Sequence, residues 1–165
     1  MKTKALIISL ILYMTAATRV HSFGLGAQFN FSTGAVAPGA ALLISPLDNV
    51  HLAVNWYLDF DKVNTIGLTL DLTFLVLPIT NYSVGTLNFT LGGGVFAIII
   101  FTDDRGFDGG LRLPIGFNFV VDSPSAGKVE VFSHIAPSFG IHFLPSMKLS
   151  DPFFPAALGV RFWLS

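Results

Sequence analysis

Hydrophobic and polar residues alternate along most of the chain beyond residue 22. Between Val50 and Asp59 every second residue is large and apolar, and the positions between them hold His51, Ala53, Asn55, Tyr57 and Asp59. A strand places alternate residues on opposite faces, whereas a helix would scatter both sets around its circumference. The alternation therefore predicts β-strands.

Eight segments of this kind are predicted, with turn-forming residues between them. The segments are 23–32, 39–45, 50–59, 65–74, 86–99, 111–119, 130–142 and 157–164, of which 39–45 is short and apolar on both faces. The connections are placed at 32–34, 45–49, 59–61, 78–81, 103–106, 122–127 and 145–155, where Gly, Pro, Asn, Asp and Ser recur. Short connections between successive strands predict an antiparallel up-and-down barrel with both ends of the chain on one side.

The second face of each strand carries mainly Gly, Ala, Ser, Thr and Asn. A soluble barrel would cover its outside with Lys and Glu, but Asp, Glu, Lys and Arg make up only 12% of this chain and Glu130 is its one glutamate. Ordinary soluble domains have roughly 25% charged residues. With hydrophobic residues at 52%, the composition predicts that the apolar face points outward into lipid and that the small, polar face lines a narrow lumen.

Four charged residues within the predicted strands fall on the small-residue face: Asp71, Arg112, Glu130 and Arg161. Their charges balance, and unpaired ions in a cramped interior are costly. We therefore expect a lumenal charge network that plugs the barrel, because eight strands leave little free channel. The functional alternative is a gate whose rearrangement opens a small pore.

Three histidines, His51, His134 and His142, are predicted to be lumenal as well. Imidazole groups can bind a metal ion, but these three lie at different predicted heights in the barrel. Lumenal hydrogen bonding is therefore the preferred interpretation, and no metal or other cofactor is expected.

Aromatic residues are predicted to form two girdles where the barrel meets lipid headgroups. The girdle far from the N-terminus contains Phe31, Trp56, Tyr57, Phe101, Phe107 and Phe143, together with Phe153 and Phe154. The girdle near the N-terminus contains Phe23, Phe74, Tyr82, Phe119 and Phe162. The alternative is that these rings fill the core of a soluble barrel.

Residues 1–22 have the features of a cleaved secretory signal peptide. Two lysines precede an apolar stretch from Ala5 to Ala17, and cleavage is predicted in front of Phe23. The stretch is short for a spanning helix, which needs roughly 20 apolar residues. The alternative is a retained anchor helix. The barrel is expected to cover residues 23–165.

In its alternation, strand number and outward apolar face, the segment from Phe23 to Ser165 resembles the small outer-membrane barrels of the OmpA, OmpX and OmpW type, and the small barrels of spirochaetes. The resemblance implies a bacterial outer-membrane location, contact with outer-membrane lipid and insertion by the barrel-assembly machinery. In those proteins the last strand usually ends in an aromatic residue, whereas this sequence ends in Leu164 and Ser165.

One strand face carries Glu130, His134 and Ser138, the residue types of a nucleophilic triad. Outer-membrane lipid A deacylases use such residues, but in a close His-x-Ser motif on the lipid-facing wall, which this sequence lacks. Four residues along a strand span roughly 13 Å, too far for a direct hydrogen bond. Catalysis is therefore not expected.

The sequence predicts a monomeric barrel that is not an enzyme. A formal charge of −1 without a basic run excludes a nucleic-acid binder, and the absence of cysteine excludes disulfides and a lipoprotein anchor. The expected role is structural, surface-interactive or that of a narrow OmpW-like pore, with any extracellular ligand bound by the loops at 33–38, 59–64, 101–107 and 144–155. The alternatives are a soluble lipid-binding barrel of lipocalin type and a membrane hydrolase.

Overall fold

The computed structural model describes residues 23–31, 38–57, 65–101, 106–123, 127–144 and 146–164. None of these residues belongs to a helix long and apolar enough to span a membrane. They form the strands β1 (Phe23–Phe31), β2 (Gly39–Leu47), β3 (Val50–Tyr57), β4 (Thr65–Tyr82), β5 (Gly85–Ile100), β6 (Gly106–Arg112), β7 (Ile115–Ser123), β8 (Gly127–Ile135), β9 (Ser138–Leu144), β10 (Lys148–Leu149) and β11 (Ala156–Leu164). The predicted signal peptide and the predicted loops at 33–37 and 59–64 lie outside the described residues.

All neighbouring strands pair antiparallel, and the sheet closes because β1 pairs with both β2 and β11. The strand β5 pairs first with β7 and then with β6, so β6 and β7 are two halves of one wall strand. Likewise β8 and β9 form one wall strand, and β10 and β11 lie beside them as the ends of another. The wall therefore has eight strands, which confirms the prediction of an all-β, eight-stranded antiparallel barrel.

The stagger of the strands fixes the width of the barrel. Following paired residues once around the wall from Glu130 leads back to the same wall strand at Gly140, a shear of ten residues. The positions crossed are Glu130, Arg161, Gly26, Leu43, Ala53, Thr69, Phe96, Gly110 and Gly140. Such a stagger corresponds to strands tilted by roughly 35–45° around an interior just wide enough for side chains to fill.

The two ends of the barrel differ in their connections. Two-residue turns at 48–49 and 83–84 join β2 to β3 and β4 to β5 at the end where β1 begins. We call this the turn end, and the opposite one, where β1 ends and β2 begins, the loop end. Short turns at the end that holds both chain termini are typical of bacterial barrels.

Burial alternates along the strands in the sense that the sequence predicts. In β1 the side chains of Gln28 and Asn30 are buried, whereas Phe29 is 41% exposed. The buried polar and charged residues are Gln28, Asn30, Ser45, Asn55, Thr69, Asp71, Asn88, Arg112, Glu130, Ser138 and Arg161. The interior is therefore largely polar and the outer wall apolar.

Three prolines interrupt successive wall strands at one level of the barrel. Each accepts a backbone hydrogen bond from the neighbouring strand: Gly92 N donates to Pro114 O (2.8 Å), Leu113 N to Pro137 O (2.9 Å) and Ala136 N to Pro155 O (2.8 Å). A proline has no N–H to return the reciprocal bond, so the ladder is weakened at each site. We call Pro114, Pro137 and Pro155 the proline belt. It separates β6 from β7 and β8 from β9, both of which the sequence pattern treats as continuous.

The strand β4 is longer than the sequence predicts. The turn expected at 78–81 is wrong, because β4 continues to Tyr82 and the turn lies at Ser83 and Val84. Register shifts between Thr73 and Leu75 and between Pro78 and Thr80 adjust its pairing with β5. Pairing with β3 ends at Leu72, so Pro78 lies where β4 has its strand pairing on one side, a position in which proline is tolerated.

Candidate functional site in the barrel lumen

The carboxylate of Glu130 is the centre of the turn-end half of the lumen. Arg161 Nη1 and Trp163 Nε1 both donate to Glu130 Oε2 at 2.9 Å, and Asn118 Nδ2 donates to Oε1 at 2.6 Å. The strand register creates this cluster, because Glu130 and Arg161 are directly opposite on β8 and β11. Three donors from three wall strands thus neutralise and satisfy one buried charge.

The guanidinium of Arg161 also lies between two aromatic rings. Its Cζ atom is 5.0 Å from the ring centroid of Phe132 and 5.3 Å from that of Trp163. Lys128 Nζ lies 5.1 Å from the Trp163 ring. These cation–π contacts fill the narrow lumen with side chains and help to hold the cation where water is scarce.

A second ion pair lies nearer mid-height. Arg112 Nε is 3.2 Å from Asp71 Oδ1, without the alignment of a hydrogen bond. These residues belong to β4 and β6 and both pair with Gly94 of β5. The missing side chain at Gly94 lets the two charges meet, since a Cβ there would overlap the Asp71 carboxylate.

The three lumenal histidines have separate partners. His51 is hydrogen-bonded to Ser45 Oγ (2.9 Å) and Thr73 Oγ1 (3.2 Å). His142 contacts the carboxylate of Asp108. Arg112 Nη2 lies 3.3 Å from His134 Nε2, and because arginine only donates, this imidazole nitrogen is the acceptor. Within the described ranges, no group of three or more His, Cys, Asp or Glu side chains is placed to hold a metal ion.

The residues of the triad pattern are not joined in the structure. Glu130 is bound by Arg161, Trp163 and Asn118, and His134 by Arg112. The Ser138 hydroxyl donates to the backbone oxygen of Ala136 at 2.8 Å. None of these contacts activates Ser138 as a nucleophile.

The hydroxyl of Ser138 has a structural role instead. Ala136 and Pro155 are opposite each other, and Ala136 N donates to Pro155 O, but Pro155 has no N–H to donate to Ala136 O. Ser138 Oγ supplies the missing donor. Both residues are nearly inaccessible, with Ala136 0% and Ser138 1% exposed.

Ser138→Ala should therefore destabilise the barrel by about 1–3 kcal/mol, because a buried carbonyl loses its donor. The free energy of unfolding can be measured by urea titration of the purified protein in detergent. The control is Ser133→Ala, whose hydroxyl lies on the exposed face of β8. Equal stability of the two variants would contradict this role.

Two small cavities remain in the lumen, and Arg112 and His134 lie between them. The turn-end cavity has a volume of about 90 Å³ and is lined by polar groups that include His51, Asn118 and Arg161. The loop-end cavity has a volume of only about 20 Å³. Since a water molecule occupies roughly 30 Å³ of liquid, the lumen is nearly filled by its own side chains.

Apolar side chains fill the loop-end half of the lumen. Phe96, Ile98 and Phe153 form a buried cluster, with Tyr57 and Ile100 packed against it. Tyr57 and Phe153 are therefore inside the barrel and not in the outer girdle that the sequence predicts. Tyr57 alternates with the outward Trp56 along β3, and Phe153 lies beside Ser138, an inward position of β9.

The remaining predicted girdle residues lie on the outward faces near the strand ends. Phe31, Trp56, Phe101 and Phe143 are exposed near the loop end, where the Phe107 ring lies 5.5 Å from that of Phe143. Phe23, Phe74, Tyr82 and Phe162 are exposed toward the turn end, and Phe119 is 6.0 Å from Tyr82.

Sequence reasoning missed Trp163, Asn118 and Phe153 as lumenal partners. Trp163 shares its face of β11 with Arg161, and Asn118 shares its wall strand and face with Arg112. Their parity was thus a usable signal for Trp163 and Asn118. Phe153 lies outside any alternating segment, so only its proximity to Ser138 reveals its direction.

Comparisons with known proteins give one structural similarity to report. No protein-family model and no curated protein matches the chain. The crystal structure of the N-terminal β-barrel domain of Pseudomonas aeruginosa OprF is similar, with a TM-score of 0.44 and 17% identity over 87% of this chain and 98% of that chain. The eight-stranded barrel fold rests on the strand pairings of the chain itself.

Proposed function

We propose that this protein is an integral outer-membrane β-barrel with a closed lumen and a structural or surface role. One observation carries the proposal: the burial pattern is inverted relative to a soluble barrel. Large apolar side chains such as Leu42 (65%) and Leu111 (67%) are exposed, whereas Arg161 (4%) and Asn55 (2%) are buried.

An inverted pattern is stable only when lipid surrounds the wall. Contiguous apolar surface on this scale is unfavourable in water, while an interior of charges and amides is unsuited to a lipid ligand. These features argue against the soluble lipocalin-like alternative, whose apolar face would be the inner one. They support contact with membrane lipid on all sides of the barrel.

The outer membrane is the proposed location for three reasons. Closed barrels span membranes because every backbone group in the wall is paired. Outward aromatic residues lie near both ends of the strands, as expected at two headgroup layers. The sequence of residues 1–22 predicts export, after which the barrel-assembly machinery would insert the chain.

The filled lumen favours a structural role over an open pore. A narrow OmpW-like pore would require Arg112, His134 and the loop-end aromatic cluster to leave the axis together. Hydrolysis of lipid is disfavoured as well, because Glu130, His134 and Ser138 are each engaged by other groups and face the lumen.

The test is gel mobility of the protein expressed as the full chain in a Gram-negative host. We expect it in the membrane fraction, soluble only with detergent, and migrating differently before and after boiling because a closed barrel resists the cold detergent. A soluble monomer in plain buffer without a mobility shift would refute the proposal. A periplasmic soluble protein of similar mass serves as the fractionation control.

A further inference from the structure

The barrel wall is held together least firmly along residues 150–155, between β10 and β11. We call this stretch the latch segment. Its described backbone bonds to the neighbouring wall strand are Ser150 N to Gly140 O (3.0 Å), Ser138 N to Phe153 O (2.9 Å), Phe153 N to Ser138 O (3.2 Å) and Ala136 N to Pro155 O (2.8 Å). On the other side, the register of β1 with β11 ends at Phe31 and Ala156.

Prolines reduce what the latch segment can donate. Pro152 and Pro155 both lie within it, and Pro155 belongs to the proline belt. The buried hydroxyl of Ser150 has no hydrogen-bond partner. Detachment of the latch segment would thus break few bonds, and belt prolines form a natural hinge line because the ladder below them is already weakened.

The latch segment inserts one side chain into the lumen. Phe153 is 8% exposed, and its ring packs edge-to-face on Phe96 with centroids 5.2 Å apart. Its neighbour Phe154 is 48% exposed. The small residual cavity beside Phe153 is bounded by Phe31, Pro155 and Ala156 on the latch side and by Arg112 and His134 below.

We propose that the space filled by the Phe153 ring is a binding site for a small uncharged aromatic molecule. The ligand enters sideways when the latch segment detaches from β9 and Phe153 withdraws. This inference rests on the proposed function, because only a membrane-embedded wall gives the opening an apolar source of ligand.

The lining chooses the class of ligand. Phe96, Tyr57 and Ile98 offer an apolar cage with edge-to-face geometry, which a second ring restores when Phe153 leaves. Arg112 is already engaged by Asp71 and His134, so a charged ligand would be desolvated without a free partner. A phenolic hydroxyl could still reach the polar floor, and p-cresol is therefore a suitable probe.

The first experiment compares p-cresol binding by Phe153→Ala, Phe154→Ala and the unchanged protein in lipid nanodiscs, using saturation-transfer NMR with empty nanodiscs as the background. Removing the resident ring should tighten binding at least about ten-fold, because the unchanged protein must first displace it. Phe154→Ala, an adjacent outward position, should bind like the unchanged protein. Binding by Phe153→Ala no tighter than by Phe154→Ala overturns the proposed site.

The second experiment tests the latch in a protein that keeps Phe153. Leu149 and Ile141 are directly opposite on β10 and β9, next to the hydrogen-bonded pair Ser150 and Gly140. They therefore form a close, non-hydrogen-bonded pair suited to a disulfide, and both are outward and exposed. The chain has no cysteine of its own, so Leu149→Cys with Ile141→Cys introduces one defined bond.

Oxidation of this double variant should weaken p-cresol binding at least about ten-fold relative to its own reduced form, because the open state is no longer populated. Equal binding in the two redox states overturns the latch. The heat-dependent gel shift is measured on the same samples. A normal shift with absent binding contradicts this inference alone, whereas absence of the shift contradicts the proposed membrane barrel.

Discussion

Glu130→Lys should either prevent refolding or lower the free energy of unfolding by at least about 3–5 kcal/mol. The substitution removes the acceptor of three donors, from Arg161, Trp163 and Asn118. It also places a second cation beside a guanidinium whose side chain is only 5% exposed. Urea titration in detergent, followed by the heat-dependent gel shift, measures the loss.

A neutral variant keeps this prediction measurable if the lysine variant does not refold. Glu130→Gln preserves the shape but leaves Arg161 without its counter-ion, and we expect a loss smaller than that of Glu130→Lys. The matched control is Asp122→Asn, a carboxylate on the adjacent wall strand that is exposed near the turn end, which should change stability by less than about 0.5 kcal/mol. Stability of Glu130→Lys equal to this control would show that the cluster does not stabilise the barrel.

The parity of residues along each strand was enough to assign faces. Asp71, Arg112, Glu130 and Arg161 are all buried inside, since a register slip by one residue would expose them together with every polar neighbour. Their pairing could not be predicted in the same way. Asp71 and Arg112 meet across β5 only because Gly94 is their common partner, and this depends on register between three strands.

Breaks in the ladder were beyond the sequence pattern for a related reason. Alternation reports which face a residue occupies, but not where its neighbour lacks an N–H. Pro114 and Pro137 interrupt wall strands whose hydrophobic period continues across them. Their effect emerges only when the strands are aligned and the three prolines fall on one belt.

The same limit explains the errors in β4 and at Phe153. Pro78 looked like a turn residue, but the register shifts around it keep the strand in place beyond the point where β3 stops. Phe153 looked like a girdle residue, because aromatic residues at strand ends usually face lipid. Its inward direction follows from the pairing with Ser138, which has no signature in sequence.

Leu70→Arg should destabilise the barrel by about 2–4 kcal/mol in a lipid bilayer. Leu70 is 43% exposed on the outer face of β4, and its partners on either side, Leu52 (40%) and Val95 (46%), are also apolar and exposed. A cation in the middle of this patch would be held in hydrocarbon if the wall is surrounded by lipid. The free energy of unfolding from vesicles of phosphatidylcholine, measured by denaturant titration, gives the cost.

The depth dependence of this cost distinguishes lipid from water. Val84→Arg introduces the same charge in the turn between β4 and β5, where Val84 is 63% exposed, and near an interface the cost falls to about 0–1 kcal/mol. In water, both substitutions would be tolerated alike, since exposed surface positions usually change stability by less than about 0.5 kcal/mol. A clear difference between Leu70→Arg and Val84→Arg therefore places the middle of the wall in hydrocarbon. Equal, small effects would mean that the apolar outer face has some other cover.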